Sequence, residues 1–109
     1  MVAASLDRLS VDEIVRRIVE VAHPDKIILF GSAATGQMTK DSDVDLLVLE
    51  SSPKNARVES MRIRDALISI MHPFDIIVIS TERFEETKDV VGGIAYPANK
   101  YGRVIYEAA

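Results

Sequence analysis

Three carboxylates and one glycine–serine turn are the residues whose types and spacing could do chemistry. Asp43 and Asp45 stand two apart at the head of the apolar run Val44-Asp45-Leu46-Leu47-Val48-Leu49. Side chains on a strand repeat every second residue, so both carboxylates project from one face, roughly 7 Å apart at their Cα atoms. Paired anions raise each other's proton affinity unless a cation intervenes. Mg²⁺ suits them, because it prefers oxygen ligands and typically takes one or two carboxylates plus substrate phosphates. Upstream, the run Ile27 to Phe30 stops at Gly31-Ser32 and leads through Ala33-Ala34-Thr35-Gly36. That pattern reads as a strand, a tight turn and a short helix. Gly31 lets backbone approach a ligand closely. Ser32 offers a hydroxyl where unpaired helix N–H groups would point, a natural seat for phosphate. Asp75, near the start of the apolar run Phe74-Asp75-Ile76-Ile77-Val78-Ile79, is a third acid. A carboxylate in a buried strand costs several kcal/mol, of order 3 or more, unless it is paired or metal-bound.

Elements must position these groups. Ser10-Val11-Asp12-Glu13 has the form of a capping box, and Val11, Ile14, Val15, Ile18, Val19 and Ala22 follow helical spacing. An amphipathic helix is expected over 11–22, ended by His23-Pro24-Asp25. Strands are expected at 26–30, 44–49 and 74–79. Between the last two, Ser51-Ser52-Pro53 is a turn, with Pro53 as a first helical residue. A helix of looser periodicity runs from about Lys54 to Met71, stopped by His72-Pro73. Thr81 to Lys88 forms a short helix. Val90 to Pro97 mixes apolar residues with breakers, and Pro97 would kink any helix across it. Gly102 turns into a final short strand at Arg103-Val104-Ile105-Tyr106. The fold class is therefore α/β (α+β), a mixed, largely buried sheet with flanking helices, and residues 1–109 form a single domain.

Composition narrows the function. Apolar residues make up 48% and charged residues 28%, ordinary for a globular protein. Without cysteine, disulfides, thiolate metal sites and a cysteine nucleophile are excluded. Met1 to Leu9 lacks the pattern of a signal peptide, and no apolar run approaches the roughly 20 residues that span a bilayer, so a cytoplasmic protein without a membrane role is expected. Thirteen basic against seventeen acidic residues give a net charge of −4. Proteins that grip long nucleic acid usually carry a basic excess, so stable nucleic-acid binding by this chain alone is disfavoured. Asp41 and Ser42 shape the turn before the second strand. His23 and His72 each precede a proline at a helix end, with no third ligand for a zinc set. Tyr96, Tyr101 and Tyr106 pack or rim the sheet, where a nucleobase could stack on one of them. Arg62, Arg64 and Arg83 read as surface charges. There is no Walker A loop and no G-x-G-x-x-G.

Together, Gly31, Ser32, Ala34, Gly36, Asp43 and Asp45 resemble the signature G-S-x-A-x-G plus D-x-D of the nucleotidyltransferases of the DNA polymerase beta type. The short chain is most similar to the minimal nucleotidyltransferases, densely over residues 27–49 and more weakly to about 106. Ala33 and Thr35 stand where such proteins often carry basic residues, which removes charge that could touch phosphate. The resemblance implies a polymerase-beta-like fold and a Mg²⁺-dependent transfer of AMP from ATP to an acceptor hydroxyl. Asp43, Asp45 and Asp75 would be the catalytic carboxylates, binding two Mg²⁺ ions, while Gly31, Ser32 and Gly36 hold the triphosphate. Minimal nucleotidyltransferases are often paired with a HEPN-type toxin, which implies a protein partner and a tyrosine acceptor on it. Two other readings stand beside this one. One is an antitoxin-like module that neutralises a partner by contact; the other is a small-molecule nucleotidyltransferase. The acceptor, the nucleobase and homo-oligomer formation are left open.

Overall fold

In the computed structural model, residues 8–36 and 43–109 are described. Asp41 and Ser42, read above as turn residues, lie outside them. The order is α1 (Arg8–Val21), β1 (Lys26–Phe30), α2 (Ser32–Thr35), β2 (Val44–Glu50), α3 (Ala56–Ala66), a 3₁₀ turn (Ile68–Ile70), β3 (Phe74–Ser80), α4 (Thr81–Thr87), α5 (Ala95–Tyr101) and β4 (Arg103–Glu107). Four strands form one sheet in the order β3-β2-β1-β4. β1 runs antiparallel to both β2 and β4, while β2 and β3 are parallel. The sheet is mixed because β1 and β2 are joined by a reversal, whereas β2 reaches β3 through the α3 crossover that a parallel pair requires.

β2 is buried on both faces, which explains its unbroken apolar run. Its residues divide by parity. Val44, Leu46 and Val48 join Ile27, Leu29, Ile76 and Val78 in a core covered by Ile14, Ile18 and Ala22 of α1 and its C-terminal end, with Ile63 and Leu67 from α3 and its end. Leu47 and Leu49 join Ile28 on the other face, under Phe84 of α4 and Ala95 and Ala98 of α5. Arginines stitch the first layer together. Arg62 donates to Val21 O at 2.7 Å, and Arg17 donates to Ala66 O at 3.3 Å and to Ser69 Oγ.

Several element ends differ from expectation. α1 begins at Arg8, so Ser10 lies in its first turn and not at its cap. The long helix expected from Lys54 splits into α3 and the 3₁₀ turn, and Asn55 caps it by accepting from Val58 N at 3.0 Å. Pro53 therefore precedes the cap. Met71 takes a left-handed conformation, φ 63°, that closes the 3₁₀ turn before His72-Pro73. α5 accommodates Pro97 because Pro97 is its third residue, where no intrahelical acceptor awaits an N–H. Among the described residues, no helix is long and apolar enough to cross a membrane.

Candidate active site

The turn after β1 is built on two glycines. Gly31 (φ 71°) precedes α2 and Gly36 (φ 79°) closes it in the left-handed region. Within it, the N–H groups of Ala34 and Thr35 donate to Gly31 O, and that of Gly36 donates to Ser32 O. The amides of Ser32 and Ala33, the first two residues of α2, have no acceptor within the helix.

Register brings the acids to this turn. Phe30 pairs with Asp45 across β1 and β2, and Asp45 pairs with Asp75 across β2 and β3. Phe30, Asp45 and Asp75 thus form one row across three strands, each about 4.8 Å from the next. By parity the row lies on the α4/α5 face, which those helices cover further along. Asp43 sits just ahead of β2, two residues before Asp45, and is exposed. Asp43 lies near enough for its charge to act on Asp45, and the parallel pairing sets Asp75 beside Asp45.

The electrostatics agree with this convergence. Partial burial pushes the Asp45 carboxyl above its ordinary range, and the neighbouring charges of Asp75 and Asp43 push it further. Gly31 closes the arrangement from the other side: a β-carbon there would collide with Asp45 Oδ2. The glycine is needed because the protein's own carboxylate occupies that space, not only for ligand approach. Asp75 corrects one expectation. β3 is an edge strand and Asp75 is exposed, so its charge is solvated and carries no burial cost.

Among the described residues, no three His, Cys, Asp or Glu side chains are gathered into one metal-holding cluster. The donor set is nevertheless all oxygen. It includes a carboxylate whose proton affinity is already raised by partial burial and by its acidic neighbours, and Mg²⁺ needs only one or two such ligands from protein. The residues fit a hard divalent cation accompanied by a polyphosphate.

Two clefts flank the acids. One, of about 410 Å³, is lined by Phe30, Gly31, Ser32, Thr35, Pro97 and Tyr101. The other, of about 510 Å³, reaches Asp43 and is lined by Arg64, Leu67, Ile68, Met71, His72, Pro73 and Phe74. Sequence reasoning missed both walls, since each joins segments far apart in the chain. Tyr106 packs on the first core as expected, whereas Tyr101 is 59% exposed. His72 meets Phe74 edge to face, with ring centroids 6.0 Å apart.

Comparison with known proteins matches residues 10–96 to the family model described as a nucleotidyltransferase domain. No curated protein matches the chain. Among solved structures, a toxin–antitoxin crystallised with AMP-PNP superposes with a TM-score of 0.68 at 15% identity, covering 90% of this chain and 73% of that one. A mutant MntA–HpeT toxin–antitoxin gives a TM-score of 0.64 at 14% identity over the same shares, 90% and 73%. A nucleotidyltransferase-like protein from Sulfolobus solfataricus gives 0.58 at 18% identity, covering 91% and 79%. At such identities the likeness shows a shared fold.

Proposed function

Since the chain belongs to the nucleotidyltransferase domain family, we propose that it transfers a nucleoside monophosphate, AMP from ATP, to a hydroxyl of a partner protein. The observation that carries this reading is the row in which Asp45 and Asp75 stand side by side next to the Gly31-Ser32 turn. Asp43 and Asp45 would hold Mg²⁺, with Asp75 completing a second position on the acceptor side. When bound, the two ions supply neutralisation of the triphosphate and stabilise the attacking and leaving oxygens.

The chain's own residues do the rest. The Ser32 hydroxyl and the amides of Ser32 and Ala33 donate to the β and γ phosphates, and Gly36 keeps the short helix closed beneath them. With the ions bound, the carboxylate row would orient the α-phosphate toward the acceptor. The acceptor oxygen bonds to that phosphorus as the bond to the β-phosphate bridge breaks. Pyrophosphate departs and the hydroxyl proton passes to solvent.

A protein acceptor is supported by the cleft at Asp43, whose rim carries Ile68 and Met71, 72% and 87% exposed. The fold shared with toxin–antitoxin structures favours a toxin as the partner. A HEPN-type toxin with a tyrosine acceptor is what the resemblance of Gly31, Ser32, Asp43 and Asp45 to the minimal nucleotidyltransferases implies. The test is to co-purify the chain with the product of the adjacent gene and incubate the pair with Mg²⁺ and ATP. The partner's intact mass should rise by one or more adenylate units, and the Asp43→Asn chain should leave it unchanged. A stable complex whose mass never changes favours the contact-only reading.

A further inference from the structure

The cleft beside the Gly31-Ser32 turn has a wall that the transfer chemistry does not use. Pro97 and Tyr101 are four residues apart on α5, so they lie on the same helical face, one above the other. Phe30, from the carboxylate row, stands with them, and Gly31, Ser32 and Thr35 complete the lining. Tyr101 is 59% exposed, although tyrosine is among the side chains that gain most from being covered. The Lys100 ammonium lies 5.5 Å from the Tyr101 ring centroid and 3.3 Å from Tyr96 Oη, yet Lys100 does not line the cleft. It therefore occupies the ring from outside. Pro97 and Tyr101 also fall beyond residues 10–96, the span shared with the family model.

A ligand filling this cleft must present a flat apolar surface to Phe30, Pro97 and Tyr101, and an anionic group to Ser32 a short distance away. A nucleotide has that shape. We propose that the cleft is the nucleobase subsite, with the base stacked on Tyr101 between the helix and the turn. This rests on the reading of Gly31-Ser32 as the phosphate seat and extends it to the other end of the substrate. The lining is mostly apolar, and with the Ser32 hydroxyl given to phosphate, the side-chain groups left to read a base edge are the hydroxyls of Thr35 and Tyr101. Recognition is accordingly by stacking. Purines, having the larger π-face, bind better than pyrimidines, and ATP and GTP are poorly distinguished.

The experiment is calorimetric titration of the whole chain with Mg²⁺ plus ATP, GTP, CTP or inorganic tripolyphosphate, repeated for Tyr101→Ala and Tyr101→Phe. The exposed position keeps both variants folded, which melting curves check. Loss of a stacking partner should weaken ATP and GTP about tenfold in Tyr101→Ala. Tripolyphosphate affinity should stay unchanged, and Tyr101→Phe should bind like the parent. Equal weakening of tripolyphosphate, or ATP binding untouched in Tyr101→Ala, overturns the base subsite while leaving the phosphate seat standing. If the parent binds neither ATP nor tripolyphosphate, the phosphate seat itself is wrong, and the base subsite falls with it.

Discussion

Gly31 and Asp45 constrain each other, and that mutual constraint gives a sharp prediction at the level of single residues. Gly31→Ala places a methyl group on Asp45 Oδ2 at a backbone angle, φ 71°, that L-residues rarely adopt. The substitution should cost roughly 1–3 kcal/mol in chemical denaturation, and an unchanged midpoint would contradict the geometry. Glu50 makes a different one. It ends β2, far along the strand from Asp45; its carboxyl is buried with Oε2 unpaired, beside Glu59, Arg62 and Asp25. Burial and then the charge of Glu59 push its pKa up to about 7 from 4.5. The folded state thus holds a proton that the unfolded chain has released between pH 4.5 and 7. Stability falls as pH rises through that window and levels off above it. Glu50→Gln should flatten this slope and melt several degrees higher than the parent at pH 8. Parallel pH profiles for the two chains would show the idea to be mistaken.

At the level of elements, caps decide where helices begin. Asn55→Ala removes the oxygen that accepts from Val58 N and should cost about 1 kcal/mol, read from the thermal midpoint. The same cap shows what local pattern could and could not reveal. β1, β2 and β3 were legible within a residue, because their runs of Ile, Leu and Val are dense and bounded by Gly, Asp and Pro. α3 was read too long at both ends: apolar residues continue to Met71, but Ile68 and Met71 are exposed, and the chain leaves the helix through a 3₁₀ turn closed by the left-handed Met71. α5 was not legible, since Gly92, Gly93 and Pro97 suggested breakage while the helix starts only at Ala95. The acids were legible as a pair through their spacing. Their grouping with Asp75 came from the family resemblance and not from local pattern, because β2–β3 pairing is non-local and no local signal encodes register. The same blindness hid the wall of Phe30, Pro97 and Tyr101. Glu50 did carry a signal, a charge continuing an apolar run without a turn, and it went unread.

Across the whole molecule, the sheet sorts its labour by end and by face. One face, under α1 and α3, is given over to packing. The other is covered by α4 and α5 except where Asp45 and Asp75 emerge, beside the cleft of Phe30, Pro97 and Tyr101; the cleft at Asp43 opens toward the end of α3. The acidic balance disfavours a polynucleotide acceptor, and the exposed apolar rim beside Asp43 suits a protein. Everything in this account depends on the carboxylate row holding Mg²⁺ and the triphosphate together. The most direct measurement is calorimetric binding of ATP with and without Mg²⁺ to the parent and to Asp45→Asn, alongside their melting curves without ligand. The parent should bind ATP only with Mg²⁺. Asp45→Asn should lose that binding by at least an order of magnitude, roughly the cost of one charged ligand. It should also melt higher than the parent at neutral pH, because a carboxyl whose pKa the fold has raised destabilises the fold once ionised. Mg²⁺-dependent ATP binding left intact in Asp45→Asn would contradict the account.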